Sequence, residues 1–174
     1  PIIDDLDMTY GEMGFVLGAW QLIYIVTAYP IGVLIDKIGI RKSLFVGVLL
    51  IWISLILRGL VSDFSGLFLS VAIFGFGGPI ISIGAPKVIS LWFIGNERGF
   101  AAGLYSTGPV IGASLALATA ASFVVPITGS WRGISLIYGI GVMVTIIMWF
   151  LFAKEVENGS KYETTSTIRI LKNL

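Results

Sequence analysis

Five long apolar runs separated by short polar interruptions set the plan of this chain of 174 residues. The first runs from Gly14 to Leu34 without a charge. At ~1.5 Å rise per residue it is long enough for a hydrocarbon core of ~30 Å. Four more follow, and the pattern predicts helices over 14–34, 43–60, 67–93, 99–126 and 132–153. Before the first helix, 1–12 is polar and acidic, with Asp4, Asp5, Asp7 and Glu12. Thr9 and Glu12 stand three apart, the spacing of a capping box. After the fifth helix, 154–174 turns polar and reads as a linker or tail. We therefore expect an all-α, polytopic membrane bundle over 1–153.

Composition agrees with that pattern and narrows the chemistry. Charged residues are 12% of the chain, about half the ~25% of a soluble domain. Mean hydropathy is +0.97. With net charge +1 and basic residues at helix ends, no basic stripe exists for nucleic acid. Without cysteine or histidine there is no disulfide, no thiolate and no imidazole base. No carboxylate lies inside the predicted helices away from their ends. An enzyme would lack an acid–base set, so we expect none, and no cofactor. The partners expected are the bilayer and a small solute.

Lys and Arg are unevenly shared between the short loops. Lys37, Arg41, Lys42, Arg98 and Lys154 fall on one side, with Lys161, Arg169 and Lys172 in the tail; Arg132 falls on the other, with Arg58 near it. The positive-inside rule then predicts a cell-membrane protein with its tail in the cytoplasm and Pro1 outside.

Glycine and proline distinguish the third and fourth helices. The third carries Gly75, Gly77, Gly78, Pro79, Gly84 and Pro86. Such interruptions point either to a binding site in a transporter or to a kinked packing helix. The fourth carries Gly99, Gly103, Gly108, Gly112, Ala116 and Ala120 at mostly four-residue spacing. That nearly bare face predicts close packing against another helix.

The loop Gly32-x-x-x-Asp36-Lys37-x-Gly39-x-Arg41-Lys42 resembles the signature between transmembrane helices 2 and 3 of the major facilitator superfamily of transporters. Such a short connection predicts flanking helices that lie antiparallel and close. Glu97-Arg98-Gly99 resembles that family's turn between helices 4 and 5. Gly108-Pro109-x-x-Gly112 looks like its helix 5 Gly-Pro motif, which is associated with antiporters. Trp131-Arg132 resembles its usual opening of helix 6. Pro86-Lys87 with Trp92-Phe93 is similar to cyanate and nitrate/anion-type members. Two departures stand out. Ile40 replaces a usual Arg, and Val71 stands where many members carry an Arg of helix 4.

The resemblance implies family helices 2 to 6 of a six-helix N-terminal bundle. Helix 1 and the C-terminal half of the same transporter would then be further partners. It also implies secondary transport, by symport or otherwise, through alternating access. Within the same superfamily a drug or metabolite antiporter is the alternative; a non-transporting structural membrane protein is another. Asp36 resembles the family's gate residue, whose carboxylate bonds a helix N-terminus and a nearby cation; otherwise it is a solvated loop carboxylate. Lys87, well inside the third helix, either meets an anionic substrate or snorkels to the interface. Tyr105, Ser106 and Thr107 form a polar patch that could bind the solute or pack helices. The lack of a mid-span carboxylate favours an anionic or neutral solute over a cation.

Overall fold

A computed structural model describes residues 2–153. Its elements are α1 (Ile2–Asp5), α2 (Tyr10–Ile38), α3 (Ile40–Leu60), α4 (Phe64–Trp92), α5 (Asn96–Thr119), a π-helical turn (Ala120–Val124), α6 (Val125–Thr128) and α7 (Trp131–Phe152). Five helical stretches are long and apolar enough to cross a membrane, the fourth running without a break over Asn96–Thr128. Among the described residues there is no strand. The expected tail at 154–174 lies outside the described residues.

Local chemistry sets the helix starts. At α2, Thr9 accepts the backbone N–H of Glu12, and the Glu12 carboxylate accepts the Thr9 N–H at 2.7 Å. The capping box expected there is complete. Asp63 caps α4 by accepting Gly66 N–H at 2.7 Å, and Ser130 caps α7 by accepting Arg132 N–H at 3.2 Å. Gly39 alone separates α2 from α3, at φ +92°. A residue with a Cβ is strained there. The connection is thus tighter than the sequence pattern implies.

α4 is the centre of the packing. It lies along both α2 and α3, whereas α2 and α3 touch each other far less; α7 packs on α3. The closeness expected of α2 and α3 is instead mediated by α4, because its glycines let two backbones approach. A Cβ at Gly75 would stand 2.8 Å from the Ile23 Cβ, one at Gly77 2.9 Å from the Gly47 carbonyl oxygen, and one at Gly84 2.7 Å from a Leu44 methyl. Gly47 on α3 reciprocates, its Cβ position 2.8 Å from Ile80. Buried Ser54 on α3 donates to the Ser70 carbonyl on α4 at 2.7 Å, and Ser70 donates to Leu67. In a bilayer, where neighbouring chains and lipid are equally apolar, such close contact is what holds helices together.

The acidic N-terminal segment packs on the bundle through its apolar residues, while Asp4, Asp5 and Asp7 stay exposed. Leu6 and Met8 are buried with Val16 and Ala19 of α2 and Leu67 and Val71 of α4. Val71 therefore serves as packing.

Candidate functional site

At each end of the bundle an ion pair ties distant segments together. Asp36 sits in the last turn of α2 and Lys87 about one and a half turns from the end of α4. Their side chains form a salt bridge, with Asp36 65% and Lys87 38% exposed. An anion at a helix C-terminus faces the negative end of the macrodipole. The Lys87 ammonium offsets that unfavourable placement. The sequence left Asp36 as either a gate residue with a nearby cation, by resemblance, or a solvated loop carboxylate, and Lys87 as either a substrate contact or a snorkelling side chain. The structure brings the two together, 51 positions apart.

The opposite end mirrors this arrangement with reversed charge. Arg132 opens α7, where a cation faces the positive end of the dipole. Asp5 pairs with it and also accepts the Trp131 indole N–H at 3.0 Å. Arg132 further donates to the Val61 carbonyl at 3.0 and 2.9 Å, and stacks on Trp131 at 4.5 Å. The Trp131 indole and the Arg132 guanidinium hold the Asp5 carboxyl below the usual carboxylate range. This clamp joins α1, the α3–α4 link and α7. Sequence reasoning missed it: only the shared side of Asp5 and Arg132 hinted at it.

The remaining residues of interest divide. Lys37 is exposed, and Gly32 lies one turn before Asp36 with open space around its Cβ position. Arg41 donates to the Phe150 carbonyl at 3.4 Å, and Trp149 donates to the Arg41 carbonyl at 3.2 Å. The signature loop is thereby anchored to α7. Arg58 is half-buried near the other end of α3, 5.4 Å over Phe74. Its Nε is buried with no hydrogen-bond partner among the described residues.

Tyr105, Ser106 and Thr107 lie on α5, away from the Asp36–Lys87 pair in every contact described. Ser106 donates to the Ala102 carbonyl and Thr107 to the Leu104 carbonyl, both at 2.8 Å. Their protons are committed to their own helix, so the free lone pairs suit a donor rather than an anion. The close packing expected of Gly103, Gly108, Pro109 and Gly112 is not made within the described residues. A Cβ at any of the three glycines meets nothing within 4 Å, and α5 has no buried residue. Its C-terminal end is tied down instead: the Tyr138 hydroxyl of α7 donates to the Ala116 carbonyl at 2.6 Å, beside the π-helical turn.

A polar pair that sequence reasoning did not single out spans α2 and α4. The Tyr24 hydroxyl lies 2.9 Å from Ser82 Oγ, and Ser82 donates to the Gly78 carbonyl. Tyr24 is therefore the donor of that pair, and its oxygen keeps a free acceptor. Among the described residues no cluster of ligands could hold a metal ion.

Comparison with known proteins agrees with this architecture. Over 157 residues the chain is 26% identical to a "Probable L-galactonate transporter" of Escherichia coli K12, covering 90% of this chain and 34% of the relative. It is 27% identical over 151 residues to a "D-galactonate transporter" of Escherichia coli O6:H1, covering 86% and 34%. It is 24% identical over 157 residues to the "Hexuronate transporter" of Bacillus subtilis, covering 88% and 36%. The chain thus spans about a third of the length of the curated relatives it matches. The family model for the Major Facilitator Superfamily matches residues 1–173. With that match, and with a signature loop closed by Asp36 and Lys87, the chain belongs to the Major Facilitator Superfamily.

Proposed function

We propose that this chain is part of a secondary transporter that moves a sugar-acid anion by alternating access. The observation that carries this reading is the alignment, along most of the chain, with relatives named for galactonate and hexuronate transport. The absence of any carboxylate in the middle of the spans supports it, since such a group would repel an anion. The Asp36 end faces the cytoplasm in this reading, on the strength of its clustered Lys and Arg.

Asp36 and Lys87 act as a latch. A pair this exposed contributes ~0.2–1 kcal/mol. That is too little to hold a bundle together, yet enough to shift a balanced two-state equilibrium by up to about fivefold. Closed, the latch keeps the two charges on each other. Open, it releases Lys87 to an incoming carboxylate and frees Asp36 for a helix N-terminus elsewhere in the transporter.

Uptake of radiolabelled galactonate by the full-length protein in proteoliposomes tests the reading. Asp36→Asn should lower the rate several-fold at equal protein level, and Lys87→Ala should also weaken the thermal shift induced by galactonate. Neutral galactose should produce no shift in any variant. Galactose shifting the protein as strongly as galactonate would refute the anion. Undiminished uptake by Asp36→Asn would refute the latch. Cysteine labelling at Asp63 and Glu97 from opposite sides of the membrane checks the orientation.

A further inference from the structure

A cavity of about 300 Å³ lies between the start of α3 and the end of α7, lined by Arg41, Lys42, Phe45, Val46, Trp149 and Phe150. Its walls are cross-tied. Trp149 donates to the Arg41 carbonyl at 3.2 Å, Arg41 donates to the Phe150 carbonyl at 3.4 Å, and the Phe45 and Phe150 rings are 6.3 Å apart. Neither Asp36 nor Lys87 lines it, so it is separate from the latch.

We infer that this cavity binds the headgroup and upper acyl segment of an anionic phospholipid. The lining has two parts that match the two parts of such a molecule. Arg41 and Lys42 supply positive charge, and neither forms an ion pair with a carboxylate among the described residues. Of the five guanidinium donors of Arg41, one is engaged, on Phe150. Among the described residues no acidic side chain lines the cavity, so a phosphate there meets no opposing carboxylate from them. The other four lining residues are apolar or aromatic. Val46 and Phe150, 44% and 67% exposed, stand at the open side of two membrane-spanning helices. A soluble phosphate would leave that apolar wall unused. A zwitterionic headgroup would bring its own cation against Arg41 and Lys42. A tryptophan at this depth fits the membrane–water interface, where its ring is apolar and its N–H bonded. Basic pockets between spanning helices beside an aromatic residue are suited to acidic headgroups.

Native mass spectrometry of the full-length protein tests this, with phosphatidylglycerol and phosphatidylcholine of the same acyl chains. Phosphatidylglycerol should be retained over phosphatidylcholine. Each basic residue near an anionic surface is worth about a fivefold factor, so Lys42→Glu should cut phosphatidylglycerol retention by about tenfold or more and leave phosphatidylcholine unchanged. Val46→Trp fills the cavity from its exposed mouth without touching a charge, and should abolish the preference as well. Equal retention of the two lipids by the unaltered protein overturns the site, as does wild-type retention of phosphatidylglycerol in Val46→Trp. Free glycerol phosphate displacing the lipid at equal concentration would show a soluble-anion site instead and overturns it too.

Discussion

α4 and α5 are alike in sequence and opposite in environment. Both are long, apolar, rich in glycine and interrupted by proline. In α4, Gly75, Gly77 and Gly84 lie against backbone and side chains of α2 and α3, leaving less than 3 Å for a Cβ. In α5, Gly99, Gly103, Gly108 and Gly112 have nothing within 4 Å of where a Cβ would stand. One composition therefore has two uses. A glycine stripe permits close approach, but the neighbour decides whether the approach occurs. The third predicted helix looked as suited to a binding site as to packing, and within this chain its glycines and buried Pro79 serve packing. The fourth looked like the packing helix, and its bare face is open.

Substituting one glycine from each helix is the most direct attack on this contrast. Gly77→Leu forces a side chain against the Gly47 carbonyl and Ile51. Backbone must move to admit it, at a cost of ~1–3 kcal/mol or more. Loss of folded protein on detergent size exclusion, or a large fall in Tm, is the expected outcome. A Gly77→Leu variant as stable as the parent would remove α4 from the centre of the bundle.

A second test addresses what holds the ends rather than the middle. Asp5 is held below its ordinary carboxylate range by Trp131 and Arg132. Its folded-state value is depressed, so its contribution is present above the unfolded carboxylate pKa and is lost as pH falls through the folded value. Tm should drop on acidification in the carboxylate range, and Asp5→Asn should flatten that part of the profile. An unchanged acid limb in Asp5→Asn would show that the clamp contributes nothing to stability.

Ser54→Ala probes the α3–α4 contact without adding bulk. It removes the bond to the Ser70 carbonyl in a buried setting, and should cost ~1 kcal/mol in a denaturation measurement. No change would mean that the bond is replaced when the hydroxyl is lost.

The smallest effect is expected on α5. Gly112→Ala adds a methyl in open space and gains up to ~1 kcal/mol of helix propensity. Stability measured on this chain should rise slightly or stay level. A clear loss would place a neighbour on that face.

Much of the architecture was legible in the residues because lipid imposes a simple rule. A run of some twenty apolar residues can satisfy its backbone in hydrocarbon only as a helix. Five such runs and the Thr9–Glu12 capping box could be read from spacing alone, whereas the single-residue turn at Gly39 is tighter than the pattern implies. The signature loop identified the superfamily for the same reason: its charges are local and closely spaced. What only the tertiary structure decided lies in contacts between residues far apart in the chain. Lys87 answers to Asp36 across 51 positions, and Arg132 to Asp5 across 127. Leu6 and Met8, inside a segment that reads as polar, are buried because they pack against Val16 and Ala19 of α2 and Leu67 and Val71 of α4. Periodicity reports which face of a helix is small or apolar, because those properties belong to single residues. It cannot report which neighbour meets that face, because that depends on how all the helices share a limited volume. For this reason α4 and α5 could not be told apart until they were packed.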